Sequence, residues 1–219
     1  MREALAEKTL QVIDSISRME CIKPYILVGG TALSLQLKHR LSEDLDFMRW
    51  QETKQDKQEV AVTEIKKELA QFHSIDAIDI FEFNHIEIYI DGGVKLSFYA
   101  PEKRKPEVNP VFFLNNLVLA DVDCIAALKM EVLLRRTEFR DYYDLYCILK
   151  DKDSESIKQI IKNALQYSEH HLKSKNLIGI LTNSERFRNS SALTQSAPEY
   201  SISAQEIEQF MIDKLKGLF

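Results

Sequence analysis

The segment from Tyr25 to Met48 limits the possible folds more than any other part of the chain. Tyr25-Ile26-Leu27-Val28 is a short apolar run ending in Gly29-Gly30, which reads as a buried strand whose glycines turn the chain tightly into the next element. Thr31 to Leu37 has helical propensity, with Ala32, Leu33, Leu35 and Leu37 supplying apolar surface. Asp44-Leu45-Asp46-Phe47-Met48 then alternates polar and apolar residues over the length of a strand. A strand–helix–strand unit therefore lies near the start of the chain.

The flanking sequence supplies partners for that unit. Leu5, Leu10, Val12, Ile13 and Ile16 recur at near-helical spacing before Pro24. Glu52 to Phe72 is polar with a thin apolar stripe, which predicts a surface helix covering a sheet. Three strands are expected over 78–83, 86–90 and 94–99, the last two joined by the hairpin residues Asp91-Gly92-Gly93. Pro101, Pro106 and Pro110 mark a boundary near residue 101. Beyond it helices are expected over 121–137, 140–149, 154–167 and 204–218, with a Ser/Thr/Asn-rich loop over 182–203. This divides the chain into 1–100 and 101–219.

Composition removes several function classes. No run of 18 apolar residues occurs, and charges fill the N-terminus where a signal peptide needs an apolar centre, so a cytoplasmic protein without membrane contact is expected. Cys21, Cys124 and Cys147 are scattered among apolar neighbours, which argues against a disulfide framework or a zinc site. The net charge of −5 excludes polyanion binding by bulk electrostatics, so any nucleotide or nucleic-acid site must be local.

Asp44 and Asp46, at i and i+2 of a strand, share one face while Leu45 and Phe47 point to the other. Paired carboxylates suit Mg²⁺, which takes one or two carboxylates together with substrate phosphates. Gly29-Gly30 lets backbone N–H groups approach a phosphate, and a helix starting at Thr31 aims its positive end at the same place. Farther on, Lys129, Arg136 and Arg140 would form a basic stripe if 121–140 were one helix. The plainer alternative is a solvated face with an Arg140–Asp144 pair at i,i+4 spacing.

Gly29-Gly30-Thr31 followed by Asp44-Leu45-Asp46 resembles the signature of the DNA-polymerase-beta-like nucleotidyltransferases, and GGTALSLQLKHRLSEDLDF resembles their AbiEii/AbiGii toxin branch, with Arg40 and Ser42 part of the likeness. Lys129, Arg136 and Arg140-Asp141 with Asp144-Leu145 resemble the same family's C-terminal motif. The resemblance implies an α+β fold: a nucleotidyltransferase domain with a mixed sheet, followed by a helical domain, with the active site between them. It implies Asp44 and Asp46 as Mg²⁺ ligands and catalytic residues. Gly29, Gly30, Thr31, Arg40, Ser42, Lys129, Arg136 and Arg140 would bind the nucleotide. The implied reaction moves an NMP from an NTP to tRNA or another RNA, in a type IV-like toxin–antitoxin or abortive-infection setting with a cognate antitoxin.

One residue departs from the family pattern. Where many members carry a third carboxylate on a later strand, this chain offers Ser97, flanked on its face by Lys95 and Tyr99. Asp141 is the expected replacement, as base or as outer-shell metal partner, with Asp144 structural. The departure also leaves open nucleotidylation of a small molecule or protein, and a nucleotide-binding regulatory module without turnover.

Overall fold

The computed structural model describes residues 4–51, 53, 57–169, 173–187 and 197–218. In chain order the elements are α1 (Glu7–Ser17), β1 (Ile26–Val28), α2 (Gly29–Leu37), β2 (Leu45–Met48), α3 (Val62–Leu69), β3 (Ile75–Glu82), β4 (His85–Ile90) and β5 (Val94–Tyr99). They continue as β6 (Val111–Leu114), β7 (Leu117–Leu119), α4 (Val122–Val132), α5 (Phe139–Leu149), α6 (Ser154–Tyr167), α7 (Ser174–Leu181) and α8 (Ala204–Leu215).

The seven strands form one mixed sheet in the order β3-β4-β5-β2-β1-β7-β6. β1–β7 and β2–β5 are parallel and the other pairs antiparallel. Period-two alternation divides its faces. Leu45, Phe47, Ile86, Ile88, Leu96 and Phe98 are buried, and Ile13 and Ile16 of α1 with Ile65 and Leu69 of α3 belong to the same apolar cluster. Phe47 stacks on Phe98 at 4.9 Å between ring centroids, and Tyr25 meets Phe98 edge-on at 5.3 Å. Burial of these rings pins the register, because a one-residue slip of β2 would drive Asp46 into the core. The opposite face, carrying Asp46, Met48, Lys95, Ser97, Tyr99, His85 and Glu87, is only partly covered.

Several expectations change. Gly29 and Gly30 are the first two residues of α2, not a turn preceding it. The helix expected over 52–72 is confined to Val62–Leu69. β6 and β7 lie where only helices were expected beyond residue 101, and α7 adds an unforeseen short helix. The expected loop over 182–203 falls partly outside the described residues. The helices expected over 121–137 and 140–149 are separate, but the first is shorter, so the single helix over 121–140 that a basic stripe would require is absent. α4 starts at the N-cap Asp121, whose side chain accepts hydrogen bonds from the Asp123 and Cys124 amides, and it ends at Val132; α5 begins at Phe139. Among the described residues no helix is long and apolar enough to cross a membrane.

Candidate active site

Asp44 and Asp46 sit at the start of β2 on the open face of the sheet, both partly exposed. β1 places Val28 opposite Asp46, so the chain enters α2 beside that carboxylate. Gly29 adopts φ +71°, a left-handed conformation that disfavours any residue with a Cβ. A Cβ there would also stand 2.5 Å from Asp46 Oδ2. The helix N-terminus and the carboxylate thus meet across a missing side chain. A Cβ on Gly30 would stand 2.4 Å from Arg40 Nη2 and 3.2 Å from Ser42 Oγ.

Burial raises the Asp46 carboxyl above its ordinary range, and the neighbouring Asp44 charge adds to the effect against the opposing pull of Lys95. Lys95 Nζ lies 3.4 Å from Asp44 Oδ2 and 3.5 Å from Glu87 Oε1. The two crowded carboxylates, with Asp46 raised in this way, are an anionic oxygen pair that a divalent cation would relieve. Among the described residues no group of three or more His, Cys, Asp and Glu side chains could hold a metal alone. Two carboxylates alone would fit a hard divalent cation such as Mg²⁺ if its remaining ligands came from elsewhere.

Facing the pair is a buried ion network built from three helical regions. Asp144 of α5 accepts from Arg40 Nε at 2.7 Å and Nη2 at 2.8 Å, and its Oδ1 lies 2.7 Å from His39 Nε2. Lys129 of α4 reaches Asp144 Oδ2 at 2.7 Å and Asp141 Oδ1 at 2.8 Å. Arg136, in the α4–α5 connection, donates to Asp141 from Nε at 2.7 Å and from Nη2 at 2.9 Å. Burial pushes both aspartates up, yet Lys129 with Arg136 holds Asp141 below the usual carboxylate range, and Lys129 with Arg40 holds Asp144 well below it. Burial likewise favours neutral Lys129, but the two carboxylates outweigh it and keep the amine charged. Arg40, Lys129 and Arg136 stand against two carboxylates, an excess of positive charge suited to phosphate.

Apart from Glu87, His39 and Asp144, these groups line one cleft of about 770 Å³, within the range that encloses a small-molecule ligand. Gly29, Gly30, Arg40, Ser42, Asp44, Asp46, Lys129, Arg136, Arg140 and Asp141 all border it. Thr31 does not. It is fully buried, and its hydroxyl contacts Ser42 Oγ at 2.8 Å and the Asp44 carbonyl, so it braces the approach to β2 instead of facing a phosphate. The basic stripe is replaced by residues converging from separate elements, and the Arg140–Asp144 pair is not formed: Asp144 is taken by Arg40, His39 and Lys129, while Arg140 is exposed at the cleft. Asp141 has both oxygens engaged by Lys129 and Arg136. Ser97 pairs in register with Asp46 on one side and Glu87 on the other.

Sequence reasoning missed His39 and Lys95 as members of this arrangement. The signal for Lys95 was its i,i+2 relation to Ser97. His39 carried none, since its role depends on contact with a residue 105 positions away.

The sequence matches the family described as nucleotidyl transferase AbiEii toxin, type IV TA system, over residues 12–217. The chain belongs to that family. As a member it is a nucleotidyltransferase of the toxin–antitoxin class. A protein of Aquifex aeolicus (strain VF5), described as uncharacterized protein aq_aa25, is 23% identical over 181 residues, covering 80% of this chain and 82% of its own. The fold is shared with JHP933 from Helicobacter pylori, at TM-score 0.56 and 18% identity over 98% of this chain and 93% of that one. It is shared equally with MenT4, nucleotidyltransferase toxin Rv2826c from Mycobacterium tuberculosis H37Rv, at TM-score 0.56 and 14% identity over 98% and 87%.

Proposed function

We propose that this AbiEii-family enzyme transfers an NMP from an NTP to an RNA acceptor, tRNA being the first candidate, in a Mg²⁺-dependent reaction that releases pyrophosphate. The observation that carries this reading is the packing of Asp46 against Gly29 at the N-terminus of α2, opposite the Lys129–Arg136 cations. Phosphate oxygens placed there meet helix amides on one side and fixed positive charge on the other. Asp44 and Asp46 would hold Mg²⁺, which when bound supplies charge neutralisation at the attacking and leaving oxygens. Arg136 and Arg140, both exposed at the cleft, reach the nucleotide directly. Lys129 and Arg40, buried and paired, set the local potential and hold the cleft wall. Asp141, with its carboxyl held low and doubly paired, is a poor proton acceptor. Its role in this reading is to position Lys129 and Arg136.

The setting proposed is cytoplasmic, with an antitoxin as protein partner. Incubation with α-labelled NTPs and total RNA, with and without a chelator, tests the reaction. Label in RNA that requires Mg²⁺ and is lost in Asp46→Ala is the expected result. Label confined to protein or small molecules would overturn the RNA acceptor, and nucleotide binding without pyrophosphate release would overturn transfer itself.

A further inference from the structure

The open face of the sheet carries a second row of side chains beside the carboxylates. β2, β5 and β4 place Met48, Tyr99 and His85 in register, and Glu82 of β3 pairs with His85 across an irregularity that includes Phe81. The Phe81 ring stacks on His85 at 4.8 Å with 25° between planes, and His85 meets Tyr99 edge-on at 5.3 Å. All three border the cleft that holds Asp44 and Asp46. Phe81 is 57% exposed and Tyr99 36%, so ring surface stays open to solvent beside the cleft.

The geometry points to this row as the seat of the acceptor's unpaired nucleobases. The inference rests on the nucleotidyl-transfer reading and specifies the acceptor side of that site. Displacement at phosphorus runs in line, so the attacking hydroxyl and the leaving pyrophosphate occupy opposite sides of the reacting atom. The phosphate cradle at Gly29 and Gly30 lies over β1, on one side of Asp46. The acceptor must then approach from β5, β4 and β3, where the aromatic row stands. At about 4.8 Å per strand, His85 and Phe81 lie roughly 10–14 Å from β2, the distance at which the first nucleotides behind a terminal hydroxyl would pass. Every base has a π-face, so aromatic stacking holds a single strand without demanding a sequence.

The test uses the full chain and a short single-stranded RNA with 2-aminopurine near its 3′ end, whose fluorescence is quenched on stacking. Phe81→Ala and Tyr99→Ala are expected to weaken RNA binding by about tenfold each and to relieve the quenching, Tyr99→Phe to retain both, and NTP affinity measured by calorimetry to stay unchanged. Both rings are exposed enough that the variants should melt with the parent. Unchanged RNA affinity in the double variant would overturn the inference, as would a parallel loss of NTP affinity, which would make the row the seat of the incoming base. Asp46→Ala keeps the two readings apart: if it transfers normally, the transfer site is misplaced, whereas loss of transfer with retained RNA binding and quenching supports a platform separate from the chemistry.

Discussion

In the proposed reading, Asp46 serves chemistry at the expense of stability. Its carboxyl is raised by burial and by Asp44, so the folded state holds its proton more tightly than the unfolded chain does. The resulting destabilisation appears as pH rises from the ordinary value near 3.8 and is fully present above the raised value. Asp46→Asn should therefore abolish transfer while melting a few degrees higher than the parent at neutral pH. The gain should shrink as pH falls toward 4, a trend that thermal melts across pH would reveal. Gly29→Ala is the complementary case. At φ +71° the new Cβ carries a strain of roughly 1–3 kcal/mol and meets Asp46 Oδ2, so turnover should drop sharply even in molecules that remain folded. A Gly29→Ala enzyme with parental kcat would show that the close approach has no functional weight.

Among the elements, α5 concentrates the electrostatic stakes. Asp144 is fully buried against Arg40, His39 and Lys129, and its removal leaves buried cations without a counter-charge. Asp144→Ala should lose roughly 3–5 kcal/mol in denaturant unfolding. Asp141 and Asp144 have depressed carboxyls, so their contribution is complete above the ordinary value of 3.8 and is lost as pH falls through their lowered values. An acid-unfolding midpoint that moves upward in Asp144→Asn is the expected readout. The contrast between α2 and α5 also shows what sequence could reveal. β1, α2 and β2 were legible because strand alternation, paired glycines and paired aspartates are local patterns. The separation of the helices expected over 121–137 and 140–149 is present, but the early end of α4 at Val132 was not legible, since Leu133 to Glu138 contains no Pro or Gly to announce it. The contacts of Lys129 with two aspartates depend on that break, so the stripe that one continuous helix would give is replaced by side chains converging from separate elements.

Over the whole molecule, the sheet draws strands from both sides of residue 100. β7 pairs with β1 through Leu27 and Leu119, and Gln36 of α2 donates to the Ala120 carbonyl at 2.9 Å. A fragment of residues 1–100 would expose the edge of β1 and strip Lys129, Asp141 and Asp144 from Arg40. It should fail to melt cooperatively by calorimetry. A fragment with a sharp transition would instead establish residues 1–100 as a self-sufficient folding unit. The same reach along the chain, 104 residues between Arg40 and Asp144, bears on how the enzyme is made. At about 5–20 residues per second, a ribosome needs roughly 5–20 s to pass from Asp44 and Asp46 to the end of the ion network. During that interval the nascent toxin carries its carboxylates without the cations that complete the cleft, and a prematurely terminated chain never acquires them. On the proposed reading, a nascent chain becomes competent for transfer only once the second half of the polypeptide has been delivered.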